Sequence, residues 1–186
     1  MATLQNIVSQ RELELNLNVN TQPQLTDPLT LDIAGNGFRT SGLERSVAFD
    51  LDGDGKRDQI SVPVGDDAML ALDRNGNGRI DDGRELFGDQ NGAANGFAEL
   101  SKYDDNHDGR IDALDAIFER LSLLSFDGQG RQQVQSLAQA GVGAIHLHAR
   151  ELNVALGAYD KIAQLGSFEF TDGRSGQAAD LLLAQR

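Results

Sequence analysis

Aspartate, asparagine and glycine recur in three short segments with one spacing. In each segment, oxygen-bearing side chains occupy positions 1, 3, 5 and 9, and glycine occupies position 6. Alternate side chains of such a loop point inward, the carbonyl of position 7 adds a ligand, and glycine permits the sharp turn, so one segment can wrap around a single cation. Oxygen ligands in a flexible loop favour Ca²⁺ over Zn²⁺ or copper, and Mg²⁺ is a weaker candidate because it keeps its waters. The predicted metal ligands are Asp50, Asp52, Asp54, Lys56 and Asp58 in loop 1; Asp73, Asn75, Asn77, Arg79, Asp81 and Glu85 in loop 2; and Asp104, Asn106, Asp108, Arg110, Asp112 and Asp115 in loop 3, with Lys56, Arg79 and Arg110 contributing carbonyl oxygens.

The three loops differ at the position that closes them. Loop 3 has Asp115 at position 12, where a calcium loop usually has a glutamate that reaches the ion with both oxygens. Loop 2 has Arg84 there, and we expect a slightly expanded loop that Glu85 closes. Loop 1 has no acidic residue at position 12 and lies between predicted strands. A fourth segment, 32–37, has the same spacing at positions 1, 5 and 6 but has Ala34 at position 3, so it is a weak candidate for a metal site.

Acidic residues are concentrated around these loops. The chain has 186 residues and a formal net charge of -13, and 15 of its 21 aspartates lie between Asp50 and Asp115. Crowded carboxylates repel one another unless a cation neutralises them, so the composition itself suggests a bound hard metal. The same charge opposes contact with phosphate backbones and argues against a nucleic-acid-binding role.

The composition also limits the cellular compartments in which the protein is expected. The chain has no cysteine, which excludes a disulfide framework, a zinc–thiolate site and a thiol nucleophile. It has no apolar run long enough to span a bilayer, and its first residues lack the apolar core of a Sec-type signal peptide. These features fit a cytoplasmic protein, or one exported by a route that needs no disulfides.

The elements that position the loops are predicted to mix helices and strands, which gives an α+β fold with EF-hand-like loops between short helices. Helical spacing occurs at 97–103 and 113–121, on the two sides of loop 3, and more weakly at 134–141. Loops 2 and 3 both have isoleucine at position 8, and we expect them to pair through a short β-bridge between Ile80 and Ile111. The apolar stripe of the 113–121 helix consists of Leu114, Ile117, Phe118 and Leu121.

Antiparallel β elements are expected to flank the loops. Strict apolar alternation at 12–19 predicts a strand, either an edge strand of the main fold or an arm that pairs with another chain. A linker with two prolines follows at 20–28, and the expected division is an N-terminal arm and linker at 1–24 and a calcium-binding module at 25–186. Further strands are predicted at 29–33, 46–50, 58–64, 68–73, 142–149, 166–171 and 180–184.

Five stretches of the chain are similar to a known family. They are DPLTLDIAGNGFRTSG, VAFDLDGDGKRDQ, ALDRNGNGRIDDGRELFGD, NGFAELSKYDDNHDGRIDALD and the closing FEFTDGRSGQAADLLL. Together they resemble the calcium-binding self-processing module of FrpC-type RTX proteins, which are large bacterial proteins exported by type I secretion. The likeness extends from about Asp27 to Leu183 and is most specific from Leu72 to Asp89. No glycine-rich RTX nonapeptide occurs, so the chain resembles the module without its repeat array.

The resemblance implies a secreted protein and a self-processing reaction at an Asp–Pro bond. In the family, calcium triggers cleavage of such a bond at the start of the module, and a lysine can capture the freed aspartyl carbonyl in an isopeptide bond. Asp27 and Pro28 occupy the matching place here and are the predicted catalytic residues. The lysines available as acceptors are Lys56, Lys102 and Lys161.

The cleavage chemistry can start from the aspartate itself. Its side-chain carboxyl can attack its own backbone carbonyl to form a cyclic anhydride, and proline leaves comparatively well because its tertiary-amide nitrogen is relatively basic. The protein has to orient the carboxyl and protonate that nitrogen. The family's LDLDGDG after the bond is LDIAGNG here, with Ala34 and Asn36 replacing carboxylates, which could remove the calcium nearest the bond. The alternative is a non-catalytic calcium-dependent structural or protein-interaction module that engages a partner through 12–19.

Overall fold

The computed structural model describes residues 22–186, so the strand predicted at 12–19 lies outside the described residues. No helix within this range is long and apolar enough to cross a membrane. The strands in this range are β1 (Gln24–Thr26), β2 (Leu29–Asp32), β3 (Val47–Phe49), β4 (Asp58–Ile60), β5 (Asp67–Leu72), β6 (Arg110–Asp112), β7 (Leu121–Phe126), β8 (Gln132–Ser136), β9 (Val142–His146), β10 (Arg150–Ala155), β11 (Lys161–Phe170) and β12 (Ser175–Gln185). One α-helix, α1, spans Gly96–Ser101, and short 3-10 helices span Leu43–Arg45, Gly83–Glu85 and Phe118–Arg120.

The strands form one curled sheet in which all the strand pairs of the described range are antiparallel. Eight of them follow the order β6-β9-β11-β12-β2-β5-β7-β8, while β1 and β4 pair with β12, β10 pairs with β11, and β3 pairs with β4. The long strand β12 pairs with β11, β2, β1 and β4, so it ties the first strands of the described chain to the last. The predicted α+β fold with EF-hand-like loops between short helices is therefore wrong, because the structure is nearly all antiparallel β with about 9% helix.

One of the three predicted helices exists. The helix predicted at 97–103 is confirmed as α1, which begins after Asn95, whose side-chain oxygen accepts the N–H of Ala98 at 2.8 Å. The helix predicted at 134–141 is wrong, because β8 pairs with β7 there and a turn follows. Each of the seven strands predicted between residues 29 and 184 contains or overlaps an observed strand.

The helix predicted at 113–121 is wrong, because turns at 113–117 and the 3-10 helix Phe118–Arg120 lead into β7 at Leu121. The carboxylates of Asp105 and Asp115 accept the N–H groups of Ala116 and Asp112, at 2.9 Å each, and so hold the backbone in turns. Aspartate side chains often offer the backbone such an alternative to the helix. The helical stripe is accordingly broken, because Leu114 is 70% exposed.

The centre of the sheet is buried on both faces. All six residues of β5 are buried, which explains its continuous apolar run. Leu70 and Leu72 point to one hydrophobic cluster, which also contains Phe87. Met69 and Ala71 point to a second cluster on the opposite face. Successive side chains of β5 point to opposite faces of the sheet, and both faces pack against a hydrophobic core rather than one facing solvent.

The predicted β-bridge between Ile80 and Ile111 is wrong. Ile111 lies on β6 and pairs with Ile145 of β9. The backbone of Ile80 is instead bonded to the side-chain amide of Gln132, with its N–H donating to Oε1 at 3.0 Å and its carbonyl accepting from Nε2 at 2.6 Å. Loops 2 and 3 are therefore attached to separate parts of the sheet.

Two leucines of the predicted helical stripe distinguish the two folds. Leu121→Ala, at the start of β7 and 1% exposed, should lower the free energy of unfolding by about 2–5 kcal/mol because it opens a cavity. Leu114→Ala should change it by less than about 0.5 kcal/mol, because that side chain is in solvent. Urea unfolding in saturating calcium measures both values. Equal losses for the two variants would contradict the β structure and favour the amphipathic helix.

Candidate functional site

The first aspartate of each loop anchors the loop backbone in the same way. In loop 1, Asp50 accepts the N–H groups of Asp54 and Gly55, which are positions 5 and 6, at 3.0 and 2.9 Å. The first residues of loops 2 and 3 accept the same two N–H groups at 2.7–3.2 Å. The 32–37 segment repeats this pair of bonds at 3.2 and 2.8 Å, with Asp32 in the first position. Four segments of the chain therefore share one turn.

A second shared feature is the left-handed backbone at positions 4 and 6. The φ angles lie between 57° and 90° at these positions in all four segments. Glycine tolerates this conformation without steric cost, whereas His107, at position 4 of loop 3, is the positive-φ residue other than glycine in the described range. The residues concerned are Gly35 and Gly37, Gly53 and Gly55, Gly76 and Gly78, and His107 and Gly109.

Loops 2 and 3 are closed by buried carboxylates that bind the same backbone groups. Glu85, 5% exposed, accepts the N–H groups of positions 2 and 9 of loop 2 at 3.0 and 2.7 Å. Asp115, 3% exposed, accepts the N–H groups of positions 2 and 9 of loop 3 at 2.8 and 2.9 Å. Glu85 lies at position 13 of loop 2, whereas Asp115 lies at position 12 of loop 3, and the side chain of Glu85 is one methylene longer. The two carboxylates thus bind equivalent N–H groups of their loops.

Loop 1 brings carboxylates together without an intervening cationic group. Asp50, Asp52 and Asp54 each offer an oxygen, and these atoms lie within 4.8 Å of one another. Burial, followed by the charges of Asp52 and Asp54, raises the pKa of Asp58. The ammonium of Lys56 is exposed and lies 3.7 Å from Asp54. A divalent cation among these oxygens would relieve their repulsion.

In loops 2 and 3, neighbouring side chains bind the carboxylate of position 9. The side-chain amides of Asn75 and Asn77 donate to Asp81 at 2.9 and 2.6 Å, and these bonds lower the pKa of Asp81. In loop 3, Arg110 Nε lies 2.9 Å from Asp112. The structure thus brings each predicted ligand set into one loop, but the ligand oxygens converge as an acidic group in loop 1 alone within the described range.

The Asp27–Pro28 bond lies between β1 and β2 and is fixed on both sides. Asp27 is 7% exposed, and its Oδ1 accepts the N–H of Asp89 at 2.9 Å. The Pro28 carbonyl accepts the N–H of Leu181 at 3.2 Å. Gly88 packs against the bond so closely that a β-carbon there would lie 2.6 Å from the Asp27 carbonyl oxygen. Only glycine can occupy this position without displacing the bond.

Two further acids, Asp89 and Asp180, surround Asp27, and the sequence analysis missed both. Burial, followed by the hydrogen bond with Asp89, raises the pKa of Asp27 to about 7. Burial, followed by the charge of Asp27, raises the pKa of Asp180 to about 8. Asp180 is 1% exposed and is bonded to the N–H of Gly96 at 3.0 Å. A single acid within the apolar run AADLLLA was the signal that could have identified it.

The Asp27–Pro28 bond borders a gap that is too narrow to admit a water molecule. None of its lining residues is a lysine. The gap is lined by Thr26, Asp27, Pro28, Leu51, Gly83, Leu86, Gly88 and Gln90.

A family model described as the SPM domain matches residues 29–184 of the chain. The chain belongs to the SPM domain family. It is also 36% identical over 170 residues to the iron-regulated protein FrpA of Neisseria meningitidis serogroup C. That match covers 85% of this chain but 15% of FrpA, so the chain spans a small part of the length of this relative. The predicted relation to the module of FrpC-type proteins is confirmed at this level. The SPM match begins directly after Pro28, so the Asp27–Pro28 bond lies at its N-terminal border.

The raised pKa of Asp180 predicts a pH dependence of stability. Between an unfolded pKa near 4 and the folded value of about 8, the folded chain holds a proton that the unfolded chain releases. The stability from this group is complete below the unfolded pKa and is lost as pH rises towards the folded pKa, at about 1.4 kcal/mol per pH unit. Asp180→Asn should remove this slope in urea unfolding between pH 5 and 8 in saturating calcium.

The matched control for this measurement is Asp66→Asn, which alters an exposed aspartate. It should leave the pH dependence of the unfolding free energy unchanged. Parallel pH profiles for the unaltered chain and Asp180→Asn would contradict a proton held at Asp180.

Proposed function

We propose that this SPM domain is a calcium-binding module in which loaded loops promote cleavage of the Asp27–Pro28 bond. The observation that carries the proposal is the 85–89 segment, which contacts loop 2 at one end and the bond at the other. Glu85 accepts two N–H groups of loop 2. Two residues later, the Phe87 carbonyl accepts the N–H of Leu29 at 2.8 Å, and Asp89 then binds the Asp27 carboxyl. Order in loop 2 is thereby transmitted to the bond over five residues.

Loop 1 is attached to the same region. The carbonyl of Asp50 accepts the N–H of Gly83 at 2.8 Å, so the first residue of loop 1 is bonded next to the closing turn of loop 2. Calcium in either loop would therefore favour one position of the 85–89 segment. We expect about three calcium ions in loops 1 to 3, each stabilising the folded chain by binding it in preference to the unfolded chain.

The proposed reaction begins with the Asp27 carboxylate. One of its oxygens attacks the Asp27 carbonyl carbon, and the C–N bond to Pro28 breaks as a five-membered cyclic anhydride forms. The Pro28 nitrogen takes up a proton and leaves as a secondary amine. Water then opens the anhydride to a free C-terminal aspartate, or a lysine Nζ attacks it, loses a proton and forms an isopeptide bond. Fixing the carboxyl beside its own carbonyl supplies the large effective concentration of intramolecular reactions.

Asp180 is the proposed proton donor to the Pro28 nitrogen. It faces Leu29 across the β2–β12 pair, and the next residue, Leu181, is bonded to the Pro28 carbonyl. A carboxyl with a pKa of about 8 still carries a proton at neutral pH, which is the form that a general acid needs.

The proposed acceptor lysine belongs to another chain. Lys102 is engaged with Glu99 at 2.6 Å, Lys56 lies beside Asp54, and Lys161 begins β11. None of the three lysines lines the gap at the bond. Cross-linking would then join this module, residues 25–186, to a second protein. We propose that the module acts within a larger exported bacterial protein, as the partial match to FrpA suggests.

Intact mass tests the cleavage. The full chain, freed of calcium, is divided between chelator and millimolar calcium for a day. We expect fragments that end at Asp27 and begin at Pro28 in calcium alone. Asp27→Asn should abolish them while calcium binding persists, and Asp172→Asn, at an exposed turn, should cleave normally.

The same assay tests the proton donor. Asp180→Asn should slow the appearance of fragments by about tenfold or more, because general acids typically contribute about 10²–10⁴ in rate. An unchanged mass of the unaltered chain in calcium would contradict the cleavage and leave a calcium-dependent structural module. Cleavage at the normal rate in Asp180→Asn would contradict only the assignment of Asp180 as proton donor and would leave the proposed cleavage standing.

A further inference from the structure

A buried carboxylate pair, Asp32 and Asp67, lies outside the three loops. Asp32 ends β2 and Asp67 begins β5, and the two residues are direct cross-strand partners. Each is 1% exposed. Asp67 Oδ2 accepts the N–H of Arg39 at 3.1 Å, whereas Asp67 Oδ1 is buried and has no hydrogen-bond partner in the part of the chain that the structure describes. A buried carboxylate oxygen without a partner is costly, and a bound ion is one arrangement that would satisfy it.

The 32–37 segment beside Asp67 already has the backbone of the other loops. Asp32 accepts the N–H groups of positions 4, 5 and 6 at 2.8, 3.2 and 2.8 Å. Position 3 is Ala34, which supplies no oxygen, while position 5 is Asn36, which does. Asp67 approaches this segment from the neighbouring strand, because it binds the N–H of Arg39 at position 8. It therefore brings to the segment the carboxylate that position 3 lacks.

The surrounding charges compensate the pair only in part. Asp66 adjoins Asp67 with a further negative charge, and Arg39 contributes the basic side chain of this region. Arg39 is exposed, and its side chain extends past Gly65. The ion pairs of the described range include neither Asp32 nor Asp67. Two adjacent buried carboxylates repel each other unless a cation or a proton intervenes.

We infer that Asp32 and Asp67 hold a fourth divalent cation, of the Ca²⁺ class, between β2 and β5. Asn36 and the carbonyl of Phe38 are the oxygens that the loop spacing adds at positions 5 and 7. The site is built from two strands, so it cannot be found as a loop motif. It rests on the proposed calcium-binding function but not on cleavage. Because β2 begins at Leu29, this cation is held by the strand that directly follows the Asp27–Pro28 bond.

Counting bound ions tests the inference. Native mass spectrometry of the full chain in calcium, in the Asp27→Asn background to keep it intact, gives the number of Ca²⁺ ions per chain. Asp67→Asn should bind one ion fewer, because it removes the charge but keeps the shape of the side chain. Asp66→Asn is the matched control, since it alters the exposed neighbour and should bind the full number.

Ala34→Asp provides a second, independent test at an exposed loop position. It should restore the lost ion in the Asp67→Asn background and add none to the otherwise unaltered chain, whose site is already filled. An extra ion in Ala34→Asp alone would overturn the inference even if Asp67→Asn failed to fold. Equal counts with and without Asp67→Asn would also overturn it, while ions still bound at loops 1 to 3 would leave the proposed function intact. No bound calcium in any variant would overturn both.

Discussion

Carboxylates packed into tight turns are the constraint on which the rest of this structure depends. Four segments begin with an aspartate that binds two backbone N–H groups, and these bonds shape each turn before any cation is considered. They do not remove the charge. Charges a few ångströms apart interact strongly where water is partly excluded, so the turns are built in a form that a cation would stabilise.

The sheet and the 85–89 segment connect these turns to the Asp27–Pro28 bond, which is distant from loop 2 in sequence. Leu181 of strand β12 binds the Pro28 carbonyl, and the 85–89 segment connects loop 2 to Asp27. The bond is therefore held by two parts of the chain that are distant in sequence. Each contact is an ordinary hydrogen bond or a close packing against glycine, and their combination gives one position for the Asp27 carboxyl. Positioning of this kind is what an intramolecular reaction requires.

Spacing and composition were sufficient to predict the loops, because the loops are local in sequence, whereas Asp27 was identified only through the resemblance to the FrpC-type module. The helix expected around Leu114 was wrong, since helical periodicity says nothing of the bonds by which Asp105 and Asp115 hold a turn there. The strand at β8 was missed because an edge strand rich in glutamine has no apolar alternation. Asp67 and Asp180 act through partners on other strands, so no motif contains them.

The central claim is that calcium in the loops orders the backbone at the Asp27–Pro28 bond. Hydrogen exchange of the Leu29 amide, which is bonded to the Phe87 carbonyl, measures this order directly in the uncleaved Asp27→Asn chain. The account predicts that millimolar calcium slows this exchange by at least about tenfold relative to chelator. Equal exchange rates at Leu29 in calcium and in chelator would contradict it.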